Sequence, residues 1–204
     1  MKSDRFSYIV LIIFILLFGL RLIHISADPP TNLSWSGGLF FDEGALAHNA
    51  RNKVLFGEWK LDEWNDFYYS PILTYIKWLV FAVFGVGLVQ LRIVPIVSSC
   101  LTLWGLYLAL KVSLKRSTAI LSVFLLGFNY VYLMYNRLGL TEIPLLFFAA
   151  LTLYLWQLGL HTKKPKYSSW YMFFAGISCF MVYIFKALLI HFLPVPLVTL
   201  VFLW

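Results

Sequence analysis

The sequence predicts an all-α polytopic membrane protein, and three observations carry that prediction. Of the 204 residues, 61% are hydrophobic and the mean hydropathy is +0.83. Only 12% are charged, about half the share usual in soluble domains. The apolar residues also fall in long runs, close to the ~20 residues a helix needs to cross the hydrocarbon core.

Taken in order, the runs are 7–25, 71–89, 93–110, 117–135, 143–160, 168–185 and 187–204. The first is long and is not followed by a clean small-x-small site, so it reads as a retained span and not a cleaved leader. Lys2 and Arg5 precede it, which places the N-terminus in the cytoplasm by the positive-inside rule. Lys111, Lys115 and Arg116 form a second basic cluster, and Lys163, Lys164 and Lys166 a third. Two runs separate those clusters, so both are expected on the cytoplasmic side. The segment around Arg137 to Glu142 is then external.

Parity constrains the remainder. An odd number of crossings must join an external residue 42 to a cytoplasmic Lys111, yet two runs lie between them. The run 71–89 carries Lys77, Gly85 and Gly87, so it is expected to be a juxtamembrane or re-entrant helix on the external side. The rival is that one basic cluster is external. The net charge of +7 follows largely from topology. A nucleic-acid-binding role would need a basic soluble face, and nucleic acid is not an expected partner. Cys100 and Cys179 both lie within apolar runs and read as packing residues. The run that reaches Trp204 suggests the N-terminal portion of a longer protein. The expected organisation is one membrane module over 1–204, with a first external loop at 26–90.

That loop holds the most informative residues. Asp28-Pro29-Pro30 stops the first helix, and Ser36-Gly37-Gly38 supplies a turn. Asn32-Leu33-Ser34 matches the short glycan-acceptor pattern. Asp42 and Glu43 then stand side by side, and two carboxylates against a bilayer are costly unless they face a wet cavity. Asp42 is placed to cap a surface helix, which by itself would account for it. Leu46, Ala50 and Val54 recur at four-residue spacing on one apolar face, and Gly57 is the expected residue that ends the helix.

Under this topology Glu142, Arg92, Arg137 and Lys186 join the external layer with Asp42, Glu43 and Arg51. The candidate catalytic groups are Asp42, Glu43 and Glu142. The candidate substrate-binding groups are Arg51, Arg92, Arg137 and Lys186. Such a layer suits a phosphate leaving group bound by cations and a hydroxyl whose proton passes to a carboxylate. Each also has a plainer reading, such as helix capping for Glu142 or a snorkelling helix end for Arg92. No two histidines have metal-ligand spacing.

Several motifs in order resemble the GT-C glycosyltransferases, in the group of protein O-mannosyltransferases and the lipid A aminoarabinose transferase. They are Asp42-Glu43 with Arg51, Phe56-Gly57-Glu58-Trp59, Tyr69-Ser70-Pro71 through Tyr75, and Leu91-Arg92-Ile93-Val94-Pro95. Tyr135-Asn136-Arg137 through Thr141-Glu142-Ile143-Pro144 and Gly176 through Lys186 to Pro194 complete the set. Glu142 stands where many members have aspartate, and Tyr69-Ser70 lacks the charged residues found there in the lipid A enzyme.

The resemblance implies a GT-C-type helix bundle. It also implies transfer of a sugar, with inversion, from a polyprenyl-phosphate donor to an acceptor hydroxyl at the external face of a bacterial or archaeal cell membrane. The acceptor would be a lipid, a glycan or a protein. Asp42 would be the general base, and Lys186 with Arg92 or Arg137 would hold the phosphate. Glu43 and Arg51 would orient the loop or the sugar. A divalent cation is left open, and membrane lipids are the expected surroundings. The alternatives of another class are a transporter or channel portion, or an inactive membrane scaffold.

Overall fold

The computed structural model describes residues 2–26, 39–59 and 70–185. Residues 27–38, Tyr69, Lys186 and the run 187–204, for which the sequence carries expectations, lie outside them. The helices are α1 (Lys2–Leu22), α2 (Leu39–Ala45), α3 (His48–Phe56), α4 (Pro71–Phe84), α5 (Leu88–Ser113), α6 (Arg116–Gly127), α7 (Tyr130–Tyr135), α8 (Glu142–His161) and α9 (Pro165–Phe185). There is no strand among the described residues. Among the described residues three helices, α5, α8 and α9, are long and apolar enough to cross a membrane. In α1 the apolar helix is the shorter stretch Ser7–Leu22.

The centre of the bundle is the row α5–α8–α9. Small residues let α5 and α8 approach closely: a Cβ added to Gly105 would lie 3.3 Å from that of Ala150. On the other side of α5, Leu17 of α1 packs with Leu103, Tyr107 and Val123. The outward side chains of α1, such as Leu11, Ile12, Ile15 and Leu16, are more than half exposed. In a bilayer that face meets hydrocarbon, so its exposure is no defect. Ser113 Oγ donates to Gln157 Oε1 at 2.9 Å. This bond puts the Lys111 and Lys163 clusters at the same end of the bundle, as the charge pattern requires.

The run 117–135 is not one helix. It breaks between α6 and α7, where a local cap and a long-range bond from α1 meet. Asn129 caps α7, its side-chain oxygen accepting from the Tyr132 amide at 3.0 Å. The Gly127 carbonyl at the end of α6 accepts from Arg21 Nη2 at 3.1 Å. Arg21 is fully buried and also donates to Ser99 Oγ at 3.1 Å and Leu17 O at 2.7 Å. A cation from α1 thus satisfies a carbonyl that the break would otherwise leave orphaned.

The run 71–89 is also interrupted, by Gly85-Val86-Gly87. Gly85 has φ 84°, a left-handed conformation that favours glycine. The 14 residues of α4 span ~21 Å at 1.5 Å per residue, short of the ~30 Å hydrocarbon core. Its buried face is Leu73, Thr74, Lys77 and Phe81. Leu73 packs with Val94 near the start of α5, Leu145 near the start of α8 and Phe185 at the end of α9. Phe81 meets Ala47, Ala50 and Leu91. Helix α4 therefore lies across the ends of the long helices, opposite the end that carries the two basic clusters.

Candidate active site

The expected single surface helix after Asp42 is in fact two, α2 and α3, separated by Leu46 and Ala47. Asp42 sits in the first turn of α2, with its own carbonyl bonded to the Leu46 amide at 2.9 Å, and so is not the N-cap. The break has a use. It presents the Leu46 carbonyl to the buried Lys77 Nζ of α4 at 2.8 Å. Gly57 ends α3 in the left-handed conformation, φ 78°, as its position predicts. Of the expected apolar stripe, Ala50 is fully buried and Val54 packs beside it against Phe81 and Leu91. Beyond Gly57, the Trp59 ring meets those of Tyr75 and Trp78 edge-on, at 5.4 and 5.9 Å between centroids. The Gly57-Glu58-Trp59 segment is thereby docked on α4.

Asp42 and Glu43 are neighbours in the chain but not in environment. Asp42 is exposed, whereas Glu43 is buried. Arg92, near the start of α5, grips Glu43 with both arms of its guanidinium. Nε donates to Oε1 at 2.9 Å and Nη2 to Oε2 at 2.6 Å. The backbone amide of Gly139 gives Oε1 a further bond at 2.5 Å. Both charged side chains are almost wholly removed from solvent, 2% exposed for Arg92 and 4% for Glu43. The planar fork matches a carboxylate in a way that a lysine would not.

The same guanidinium also donates, through Nη1, to the Ile25 carbonyl at 2.9 Å. Arg137 continues the pattern. Its Nη2 donates to the carbonyls of Ile23 and of His24, the latter at 2.6 Å. Two arginines thus cover the carbonyls that follow the end of α1, where the helix dipole is negative. Burial and the nearby Arg92 charge lower the proton affinity of Arg137 from its usual value. Four separate parts of the chain meet here: the turn after α1, helix α2, the start of α5 and the loop 136–141. Gly139 lets the loop approach closely, since a Cβ there would fall 2.7 Å from Leu91 Cγ and force that side chain to shift.

Beside the clamp lies a cavity of about 380 Å3, lined by Glu43, Gly44, Arg51, Gly87, Leu91 and Arg92 among others. Arg51 stands on its wall, with Nη2 3.0 Å from His48 Nδ1. A guanidinium only donates, so Nδ1 accepts. Glu142 opens α8, and Thr141 Oγ1 donates to its carboxylate at 3.3 Å. Beneath α4, a second cavity of about 340 Å3 is apolar and runs between Ile76 and Val80 of α4, Ile93 and Val97 of α5, and Phe147 and Phe148 of α8. The described residues contain no cluster of three or more metal-ligating side chains.

The family model described as dolichyl-phosphate-mannose-protein mannosyltransferase matches residues 69–203, which takes in the Arg92 end of the clamp and the loop of Gly139. The chain belongs to that family. Its members are membrane glycosyltransferases of GT-C type. A protein of Aquifex aeolicus (strain VF5), described as uncharacterized, is 28% identical over 145 residues. That match covers 68% of this chain and 28% of the relative, so the chain spans well under a third of the relative's length. No solved structure matches.

Of the family motifs read in the sequence, the structure brings together Glu43, Arg92 and Arg137, and places Asp42 and Arg51 beside them. Lys186 follows Phe185, the last described residue, whose carbonyl accepts from Ser70 Oγ at the start of α4. Two features of this mannosyltransferase-family chain were not read as site residues in the sequence. Lys77, noted only as a charge in an apolar run, joins α4 to the α2–α3 turn. Asn136 is fully buried, and its side-chain amide has no hydrogen-bond partner in the structure. Its place in Tyr135-Asn136-Arg137 was the available signal.

Proposed function

We propose that this chain supplies the catalytic membrane portion of a glycosyltransferase that moves a sugar from a polyprenyl-phosphate donor to an acceptor hydroxyl at the external face, with inversion. The observation that carries this reading is the contrast between Asp42 and Glu43. One carboxylate is exposed, and its neighbour is locked to α5 and to the 136–141 loop. A base that must meet a mobile acceptor benefits from a fixed backbone and an open side chain.

In this reading Asp42 accepts the acceptor's proton as its oxygen bonds to the anomeric carbon. The bond from that carbon to the phosphate oxygen breaks, and polyprenyl phosphate leaves. Arg51 lines the cavity beside the clamp and contacts the sugar or phosphate. Arg137 adds positive potential, and Lys186 is assigned to the phosphate. Glu142 is the second acidic group of the site. Glu43 and Arg92 are positioning residues, because each already satisfies the other's charge. The apolar cavity under α4 suits the isoprenoid tail.

Asp42→Asn in the full-length gene product tests the assignment. Transfer should fall about 100-fold or more, the scale of general-base catalysis, with thermal stability unchanged. Near-normal turnover rejects Asp42 as base. Lys186→Met should weaken binding of a polyprenyl-phosphate analogue in detergent, and equal affinity returns Lys186 to an interfacial role. Cysteine labelling that puts Asp42 and Glu142 on opposite sides of the membrane would favour a transporter.

A further inference from the structure

A cavity of about 430 Å3 lies between α1 and α5, with Lys111 and Arg116 at one end. Its α5 wall is one helical stripe, Val97, Leu101, Trp104, Tyr107 and Lys111. The 14 steps from Val97 to Lys111 make the groove ~21 Å long at 1.5 Å per residue. Phe14 of α1 meets Trp104 edge-on at 5.2 Å, which gives the groove an aromatic floor. Val97, Leu101 and Trp104 are each more than two-fifths exposed, so the groove opens sideways to lipid.

The chemistry changes at one end. The mouth is lined by Ser7, Lys111 and Arg116. Lys111 Nζ stands 5.4 Å from the centroid of the Tyr107 ring, which holds the ammonium at the rim of the apolar groove. Lys115 adds a third cation next in the chain. This is the end of the bundle marked by both basic clusters. Of the nine Asp and Glu residues, Asp4 alone belongs to that end by the charge pattern. An apolar trough about one leaflet deep, ending in cations, matches a lipid tail below an anionic head. Basic pockets between spans on the cytoplasmic side recognise lipids of that kind.

We infer that the α1–α5 groove binds an anionic phospholipid of the inner leaflet. The acyl chain lies against Phe14, Trp104 and Leu101, and the phosphate meets Lys111 and Arg116. The cationic mouth lies at the far end of the bundle from Asp42, and the site does not depend on the glycosyltransferase reading.

The test uses the full-length protein in nanodiscs of phosphatidylethanolamine with one-fifth phosphatidylglycerol, with retained lipid counted by native mass spectrometry. Wild type should retain phosphatidylglycerol selectively. Lys111→Gln with Arg116→Gln should weaken retention roughly fivefold per cation removed, the surface scale of about 1 kcal/mol per charge. Leu11→Trp, at an exposed position on the groove wall, fills the trough without changing charge and should also lower retention. Lys163→Gln with Lys164→Gln, at the same end but outside the groove, should leave it unchanged. Equal losses in the two charge variants would mean a diffuse surface effect and overturn the site. Full retention by Leu11→Trp, absence of any phosphatidylglycerol preference, or preferential retention of added undecaprenyl phosphate would also overturn it. The last result would assign the groove to the donor's tail, since Val97 and Leu101 border the cavity beneath α4 as well.

Discussion

Replacing Arg92 with methionine should be among the most damaging single changes outside the reacting groups. The substitution keeps an unbranched apolar stem and removes the guanidinium with its charge. Glu43 then loses two of the three hydrogen bonds that hold it, at 2.9 and 2.6 Å, and retains only the Gly139 amide. Hydrogen bonds to charged groups contribute about 1.5–3 kcal/mol each. Two of them give roughly 3–6 kcal/mol, in line with the ~3–5 kcal/mol lost when one partner of a buried ion pair is removed. Because both side chains are nearly free of solvent, the loss is not softened as it is for a surface pair. A double-mutant cycle with Glu43→Gln, Arg92→Met and the combination isolates the pair term. Reversible unfolding of the purified protein in mixed micelles supplies the four free energies. The double variant should be less unstable than the sum of the singles, by a coupling near the upper end of the ~0.5–3 kcal/mol range seen for contacting residues. Additive singles, or an Arg92→Met protein as stable as wild type, would show that the clamp does not hold the loop.

Three further outcomes are expected. Gly139→Ala would push a methyl against Leu91 Cγ and displace the amide from Glu43, costing about 1–3 kcal/mol as overpacking does; melting temperature by fluorescence-detected chromatography checks this. Arg21→Lys should not rescue Arg21→Met, because one ammonium cannot reproduce a fork that serves Ser99, Leu17 and Gly127 together; both variants should unfold earlier in the same assay. Asn136→Leu should leave stability equal or raised, since an unpartnered amide in the protein interior costs free energy, and a large loss of stability would mean that this amide makes a bond in the assembled protein.

Much of this architecture was legible because lipid imposes simple rules. Run length located α5, α8 and α9, and parity singled out the run containing α4, whose helix has 14 residues. Gly57 could be read as a helix end because few other residues accept its backbone geometry. The sequence was less informative wherever polar groups met over long distances. Nothing local to Asp42-Glu43 tells which of the two turns inward. That depends on Arg92 and Gly139, 49 and 96 residues away. The break between α6 and α7 was missed for a related reason. Asn129 can cap a helix or sit within one, and the decision comes from an arginine on another helix.

That arginine has a consequence for how the protein enters its membrane. Arg21 lies near the end of the first helix to be synthesised, but its acceptors at Ser99 and Gly127 come 78 and 106 residues later. Until they arrive, its guanidinium must stay near the headgroups, where a long cationic side chain can reach water. The first span therefore cannot take its final depth alone. Its buried contacts are complete only once the fifth and sixth helices have been made, so the order of synthesis along the chain differs from the order in which the helices become settled.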